Sequence, residues 1–171
     1  MIDSFKIYKK ANSLVKSIGT RDAVQVADEI GIKIYYEDYT DLLGMYTYRW
    51  KQRMFFINNN LNDHMKQMVI AHEIGHDIFH RSLASNGLKE FELFDMKNTT
   101  EYEANVFSSH LLLDNDEVIS LAKEGCDIVQ ISSVLNSHIN LLLIKMQEMN
   151  KMGYVFNIPY HPEGDFMKIL K

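Results

Sequence analysis

The chain has 171 residues, 46% of them apolar and 24% charged, a balance that can build one buried core and excludes a chain disordered by composition. Lys and Arg number 18 against 23 Asp and Glu, and the resulting net charge of −5 argues against an extended nucleic-acid-binding face. Cys126 is the only cysteine, which excludes an intrachain disulfide and a four-cysteine zinc site; with no apolar leader after Met1 and no run near the roughly 18–20 residues that span a bilayer, a cytoplasmic protein is expected.

Residues 4–18 place Phe5, Ile7, Tyr8, Ala11, Leu14, Val15 and Ile18 at helical spacing, and Gly19 suits a helix stop. Thr20 can cap a second helix that runs to about Ile30 and ends at Gly31. Residues 32–37 read as a strand. Leu43 to Trp50 alternates, with Tyr46, Tyr48 and Trp50 on one side, and Lys51-Gln52 can turn the chain into a strand over 53–57. Asn58-Asn59-Asn60 reads as a loop. Asn62 or Asp63 can cap a helix to about Phe79, and the stretch from Arg81 to Asn98 reads as a long loop, a class that is often functional. A further helix starts near Thr100 and runs through Leu111-Leu112-Leu113. Asp114 to Asp116 can cap another that stops near Gly125, and an apolar helix covers roughly 128–149. The tail 153–171 reads as irregular. Both prolines, Pro159 and Pro162, fall in that tail.

The chemistry concentrates in Ala71-His72-Glu73-Ile74-Gly75-His76, an H-E-x-x-H pattern in mid-helix. Positions i and i+4 lie on one helix face with Cβ atoms about 5–6 Å apart, so both imidazoles can reach one Zn²⁺ at about 2.0–2.1 Å. Glu73, rotated about 100° from His72, can reach a zinc-bound water without becoming a ligand. There it would serve as base toward that water and as acid toward a leaving amine. Gly75 inside the motif costs up to ~1 kcal/mol relative to Ala and so predicts a close neighbour.

Catalytic zinc usually has three protein ligands and an open position. His80 shares the helix face but lies about 6 Å beyond His76, and the spacing differs from patterns in which a glycine breaks the helix before a third histidine. Its expected place is at the helix end, or in a hydrogen bond beside the site. Glu101 and Glu103 are the other contenders. Glu101 falls about 60° from the centre of the inward face formed by Ala104, Phe107, Ser108, Leu111 and Leu112, and Glu103 about 100°. Thr100-x-x-Glu103 also matches a capping box, with Asn98-x-x-Glu101 a poorer one. Glu101 is therefore preferred as third ligand, with Glu103 as the alternative. Asn105, one turn on, could hydrogen-bond a ligating histidine.

Taken together, these stretches resemble the ImmA/IrrE family of zinc metallopeptidases. Phe55-Phe56-Ile57-Asn58-Asn59-Asn60-Leu61 resembles the family's strand and Asn loop. Ala71 to His76, with His80 behind, resembles its A-H-E-[IL]-G-H…H signature. Glu101-Tyr102-Glu103-Ala104-Asn105-Val106-Phe107 followed by Leu111-Leu112-Leu113 resembles its E-x-E-A-N-x-F-A-x-x-L-L stretch. Ser108 replaces the usual Ala, and Asp114 stands where Met-Pro is common. The match covers roughly residues 53–114. The resemblance implies an α+β fold, mostly helical and zincin-like, with a small antiparallel sheet of about three strands. Residues 1–113 would form the peptidase core and 114–171 a helical part packed on it. It further implies a cytoplasmic zinc endopeptidase that cleaves a helix-turn-helix repressor of a phage or integrative element.

The strand around Phe56 and Asn58 is the expected place for substrate to add as an extended strand. Tyr46, Tyr48, Tyr160 and His161 are the contenders for an oxyanion-stabilising donor, and spacing selects none of them. Two other function classes compete. The helix–Gly125–helix stretch suggests a DNA-binding helix-turn-helix, but residues 114–151 hold three Lys and no Arg against six Asp or Glu, the wrong balance for DNA. A non-proteolytic antirepressor that sequesters its partner is the alternative. It would not need Glu73. No direct nucleic-acid or membrane partner is expected, and the oligomeric state is not readable.

Overall fold

The computed structural model describes residues 3–94 and 98–158. Asp3 accepts from the backbone N–H of Lys6 to cap α1 (Ser4–Ile18), which ends at Gly19 with φ 84°. The second helix, α2 (Ala23–Glu29), is capped by Asp22 rather than Thr20; the Thr20 hydroxyl instead accepts from the Asp22 N–H. Strands β1 (Lys33–Glu37), β2 (Gly44–Arg49) and β3 (Gln52–Asn58) follow. The β2–β3 hairpin turns at Trp50 and Lys51, both at positive φ, so Trp50 sits exposed at the tip instead of on the strand face.

Among the described residues the sheet has four strands in the order β1-β3-β2-β4, the fourth being β4 (Leu88–Glu90). It is mixed rather than wholly antiparallel: β2 runs antiparallel to β3 and β4, but β1 pairs parallel with β3, Ile34 opposite Phe55. The cause lies in the segment 38–43, which carries the chain from β1 past the end of β3 to β2. Asn58 fastens that crossing by donating its amide to the carbonyls of Tyr39 and Leu42, at 3.0 and 2.9 Å. β4 lies within the stretch expected to be loop, after a 3-10 helix at Arg81–Asn86.

The remaining helices are α3 (Asp63–Phe79), α4 (Thr99–Leu112), α5 (Asn115–Lys123), α6 (Ile128–Val134) and α7 (Ile139–Lys151). The single apolar helix expected over 128–149 is broken between α6 and α7, which meet at 109°. Asn136 adopts φ 48° there, and His138 caps α7 by accepting from the Asn140 N–H. No single helix among the described residues is long and apolar enough to cross a membrane.

α3 is the central element: every residue from Met68 to Asp77 is buried, because β2 and β3 cover one side and α4 the other. α1 and α7 then pack on α4. One hydrophobic cluster, with Phe55, Ile70, Phe107, Leu142 and Met149 among its members, links the sheet through α3 and α4 to the C-terminal helices. Burial on this scale, at about 25 cal/mol per Å² of apolar surface, holds α3 and α4 in fixed register, and this register positions the site.

Candidate metal centre

α3 and α4 approach closely at Gly75. A Cβ built there would stand 3.0 Å from Ala104 Cα and 3.2 Å from the Ala104 carbonyl oxygen. The missing side chain lets the two backbones meet, and this contact sets the histidines of α3 opposite the glutamates at the start of α4.

His72 and His76 turn Nε2 toward each other at 3.0 Å. Glu101 Oε2 lies 3.1 Å from His72 Nε2 and 3.3 Å from His76 Nε2. A fourth donor comes from β4: Glu90 Oε2 lies 3.2 Å from His72 Nε2. These four residues each offer a donor atom within 4.8 Å of the others. A tetrahedron with arms of 2.0–2.1 Å has edges of about 3.3–3.4 Å, close to these separations, and imidazole with carboxylate is a donor set suited to zinc. The residues present therefore fit a divalent ion.

The outer nitrogens of both imidazoles are engaged. His72 Nδ1–H donates to Asn105 Oδ1 at 2.9 Å, leaving the Nε2 lone pair for a metal. His76 Nδ1 meets His80 Nδ1 at 3.0 Å, and His80 Nε2 meets Glu103 Oε2 at 2.9 Å. Proton donation from His76 to His80 to Glu103 satisfies each contact and again leaves His76 Nε2 free. Glu103 thus binds His80, and neither predicted capping box forms: Asn98 caps α4 alone, accepting from the Thr100 N–H.

Glu73 is 1% exposed, and neither carboxylate oxygen has a hydrogen-bond partner among the described residues. Burial pushes its pKa up to about 8, with His72 opposing and Glu90 and Glu101 adding to the rise. Its room comes from Gly44 on β2, where a Cβ would lie 3.1 Å from Glu73 Oε1. Burial lowers the pKa of His72, but the hydrogen bonds of Glu101 and Glu90 outweigh it and raise the value to about 10. His76 is held down by burial against the pull of Glu101. Glu101 is driven well below the ordinary carboxylate range: burial works upward, and His72 and His76 overcome it. Two imidazoles and two carboxylates facing one point form an electrostatic arrangement that a divalent cation satisfies.

Other expectations need correction. β3 has neighbours on both sides, so Phe56 has no free strand edge to offer a substrate. Asn58 is buried, with its amide committed to the 38–43 crossing and its Oδ1 accepting from the Asn60 N–H. Tyr46 is fully buried and donates to Asp77 Oδ1 at 2.6 Å, so its hydroxyl is occupied. Arg53 and Arg81 complete the shell around Asp77. Tyr48 lies under the Arg81 guanidinium. Tyr160 and His161 fall outside the described residues. Glu90 was missed because it stands in a stretch without periodicity. Its only sequence signal is that it is one of two acids, with Glu92, inside Leu88–Leu93.

Residues 27–157 match the family model of the IrrE N-terminal-like domain, Peptidase_M78. The chain is 29% identical to Metallopeptidase ImmA of Bacillus subtilis (strain 168) over 134 residues, covering 76% of this chain and 78% of that protein. It is also 32% identical over 111 residues to Uncharacterized immunity region protein 2 of Bacillus phage phi105, covering 64% of this chain and 69% of that one. A buried His/Glu cluster between two tightly packed helices, within a match spanning most of the chain, makes this protein a member of the IrrE N-terminal-like family of metallopeptidases.

Proposed function

We propose that the protein is a zinc-dependent endopeptidase acting on a partner protein, a helix-turn-helix repressor of a phage or integrative element. The observation that carries the reading is the pairing of a four-donor cluster with an unpartnered, buried carboxylate on the same helix, Glu73. His72, His76 and Glu101 would hold the zinc, which when bound supplies Lewis-acid polarisation of a carbonyl and a lowered water pKa.

Glu73 does the proton work. Its buried carboxylate, with no hydrogen-bond partner among the described residues, would take the proton from the attacking water and return it to the leaving amine. Asn105, and His80 with Glu103 behind it, orient the two imidazoles. The repressor assignment is supported by the family resemblance and by the relative from a phage immunity region.

The test is co-incubation of zinc-loaded protein with the repressor encoded beside it, followed by mass mapping of the fragments. Glu73→Gln should keep fold and metal and lose cleavage by at least about 10²-fold. Cleavage at the wild-type rate would refute the role of Glu73. If Glu73→Gln relieves repression as well as wild type, the protein is instead a sequestering antirepressor.

A further inference from the structure

Among the described residues, Glu90 is the one acid of the cluster that comes from neither α3 nor α4. It reaches the site from β4, a strand of three residues paired with β2 only from Gly44 to Tyr46. Its backbone is held at the same point, the Glu90 carbonyl accepting from the Leu43 N–H at 2.8 Å. β3 occupies the other edge of β2, so β4 covers the remaining edge of the strand nearest Glu73.

A peptidase zinc needs one position free of protein donors, whereas four protein donors make the closed arrangement of a structural site. Here Glu90 Oε2 is the fourth donor of the cluster, 3.2 Å from His72 Nε2, where it would close the site to a bound ion. An extended substrate adds to a strand edge, and β4 covers the edge of β2, the strand whose Gly44 lies against Glu73. The fourth donor and the cover on the β2 edge both come from one short segment paired over three residues. The flanking Phe91 is 59% exposed.

We propose that β4 is a built-in stand-in for substrate: Glu90 closes the metal centre and Leu88–Glu90 occupies the substrate edge of β2, so that the peptidase is held back until an extended partner segment displaces the strand. This rests on the reading of His72, His76 and Glu101 as metal ligands. The occupant that replaces β4 is an extended peptide segment of the protein substrate, pairing along β2 where Leu88–Glu90 now lies. Activation is then competition for a strand edge, and the partner supplies the binding energy.

The test uses the full chain loaded with Co²⁺, read by its visible absorption, with acetohydroxamate as the probe of an open corner. Wild type should bind one equivalent of cobalt with a spectrum that moves little on adding the probe. Glu90→Gln should still bind one equivalent and should bind acetohydroxamate about tenfold more tightly, the factor expected if β4 keeps the site closed about nine-tenths of the time. Glu90→Asp, which keeps the charge and shortens the reach by one methylene, should open the site likewise and serves if the glutamine variant folds poorly. Equal responses of wild type and folded variants would overturn the closure while leaving the ligand set intact. Loss of cobalt from a folded Glu90 variant would also overturn it, since Glu90 would then be an obligatory ligand. Wild type that takes up no cobalt would overturn the metal reading itself.

Discussion

His76 and His80 meet nitrogen to nitrogen, Nδ1 to Nδ1 at 3.0 Å, one turn apart at the end of α3. Only one of those nitrogens can carry the proton between them. Glu103, 2.9 Å from His80 Nε2, decides which: its carboxylate accepts a hydrogen bond from Nε2–H, so His80 Nδ1 accepts and His76 donates. A carboxylate on α4 thereby sets the tautomer of a histidine two residues removed from it in the chain of contacts.

The two glutamates of α4 should separate in a metal-binding assay. Glu101→Ala should lose stoichiometric zinc after dialysis, measured by atomic absorption. Glu103→Ala and His80→Ala should retain one equivalent but bind it about 10–100-fold more weakly, since they only orient His76. Equal losses for Glu101 and Glu103 would contradict the geometry.

Gly75→Ala should destabilise the protein by about 1–3 kcal/mol in urea unfolding. The added methyl meets the Ala104 backbone, which cannot yield as a side-chain tip would. Zinc affinity should fall with it, because α3 moves away from α4 and His72 from Glu101.

The buried carboxylate of Glu73 should show in the pH dependence of the metal-free protein. Its pKa rises from 4.5 to about 8 on folding, so above pH 4.5 the unfolded chain sheds a proton that the folded one keeps. Stability from this group is therefore lost as pH rises from 4.5 to 8. Glu73→Gln should match wild type most closely near pH 4.5 and gain on it steadily to pH 8, by roughly 2–4 kcal/mol in chemical denaturation. A gap that does not widen with pH would mean Glu73 has a partner in solution.

Lys145 gives the opposite slope. It is fully buried, with Nζ donating to His110 Nδ1 at 2.9 Å, and His110 Nε2 has no partner among the described residues. Burial, reinforced by Arg21, lowers its pKa from 10.5 to about 7. The unfolded chain then holds the extra proton between pH 7 and 10.5, and wild type gains stability over that window. Lys145→Met should be more stable than wild type by roughly 1–4 kcal/mol at pH 6, with the advantage shrinking toward pH 10.

Asn58→Ala should cost about 2–3 kcal/mol, because it strips the Tyr39 and Leu42 carbonyls and the Asn60 N–H of their partner. Loss of metal affinity without loss of stability would point instead to a role at the site.

Local spacing made α1, α3 and the start of α4 legible, because one helix face must repeat every three to four residues and caps sit at fixed offsets. The same spacing put His72 and His76 one turn apart and Glu73 beside them. It also marked Gly75 as a close contact before Ala104 could be named as its neighbour. The break between α6 and α7 escaped notice because both halves are apolar and Asn136 at positive φ is a local exception within a continuous pattern. Other features were decided between segments distant in the chain. The parallel pairing of β1 with β3 depends on where the 38–43 crossing is pinned, and the commitment of Glu103 to His80 depends on how α4 sits on α3. Glu90 joins the cluster only because β4 adds to the edge of β2, a pairing without a periodic signal since three residues are too few to show one. Sequence alone could determine what neighbours along one element do, since its geometry is fixed by the backbone; which carboxylates come within reach of the two histidines was decided only by packing, which brings together residues that share no period.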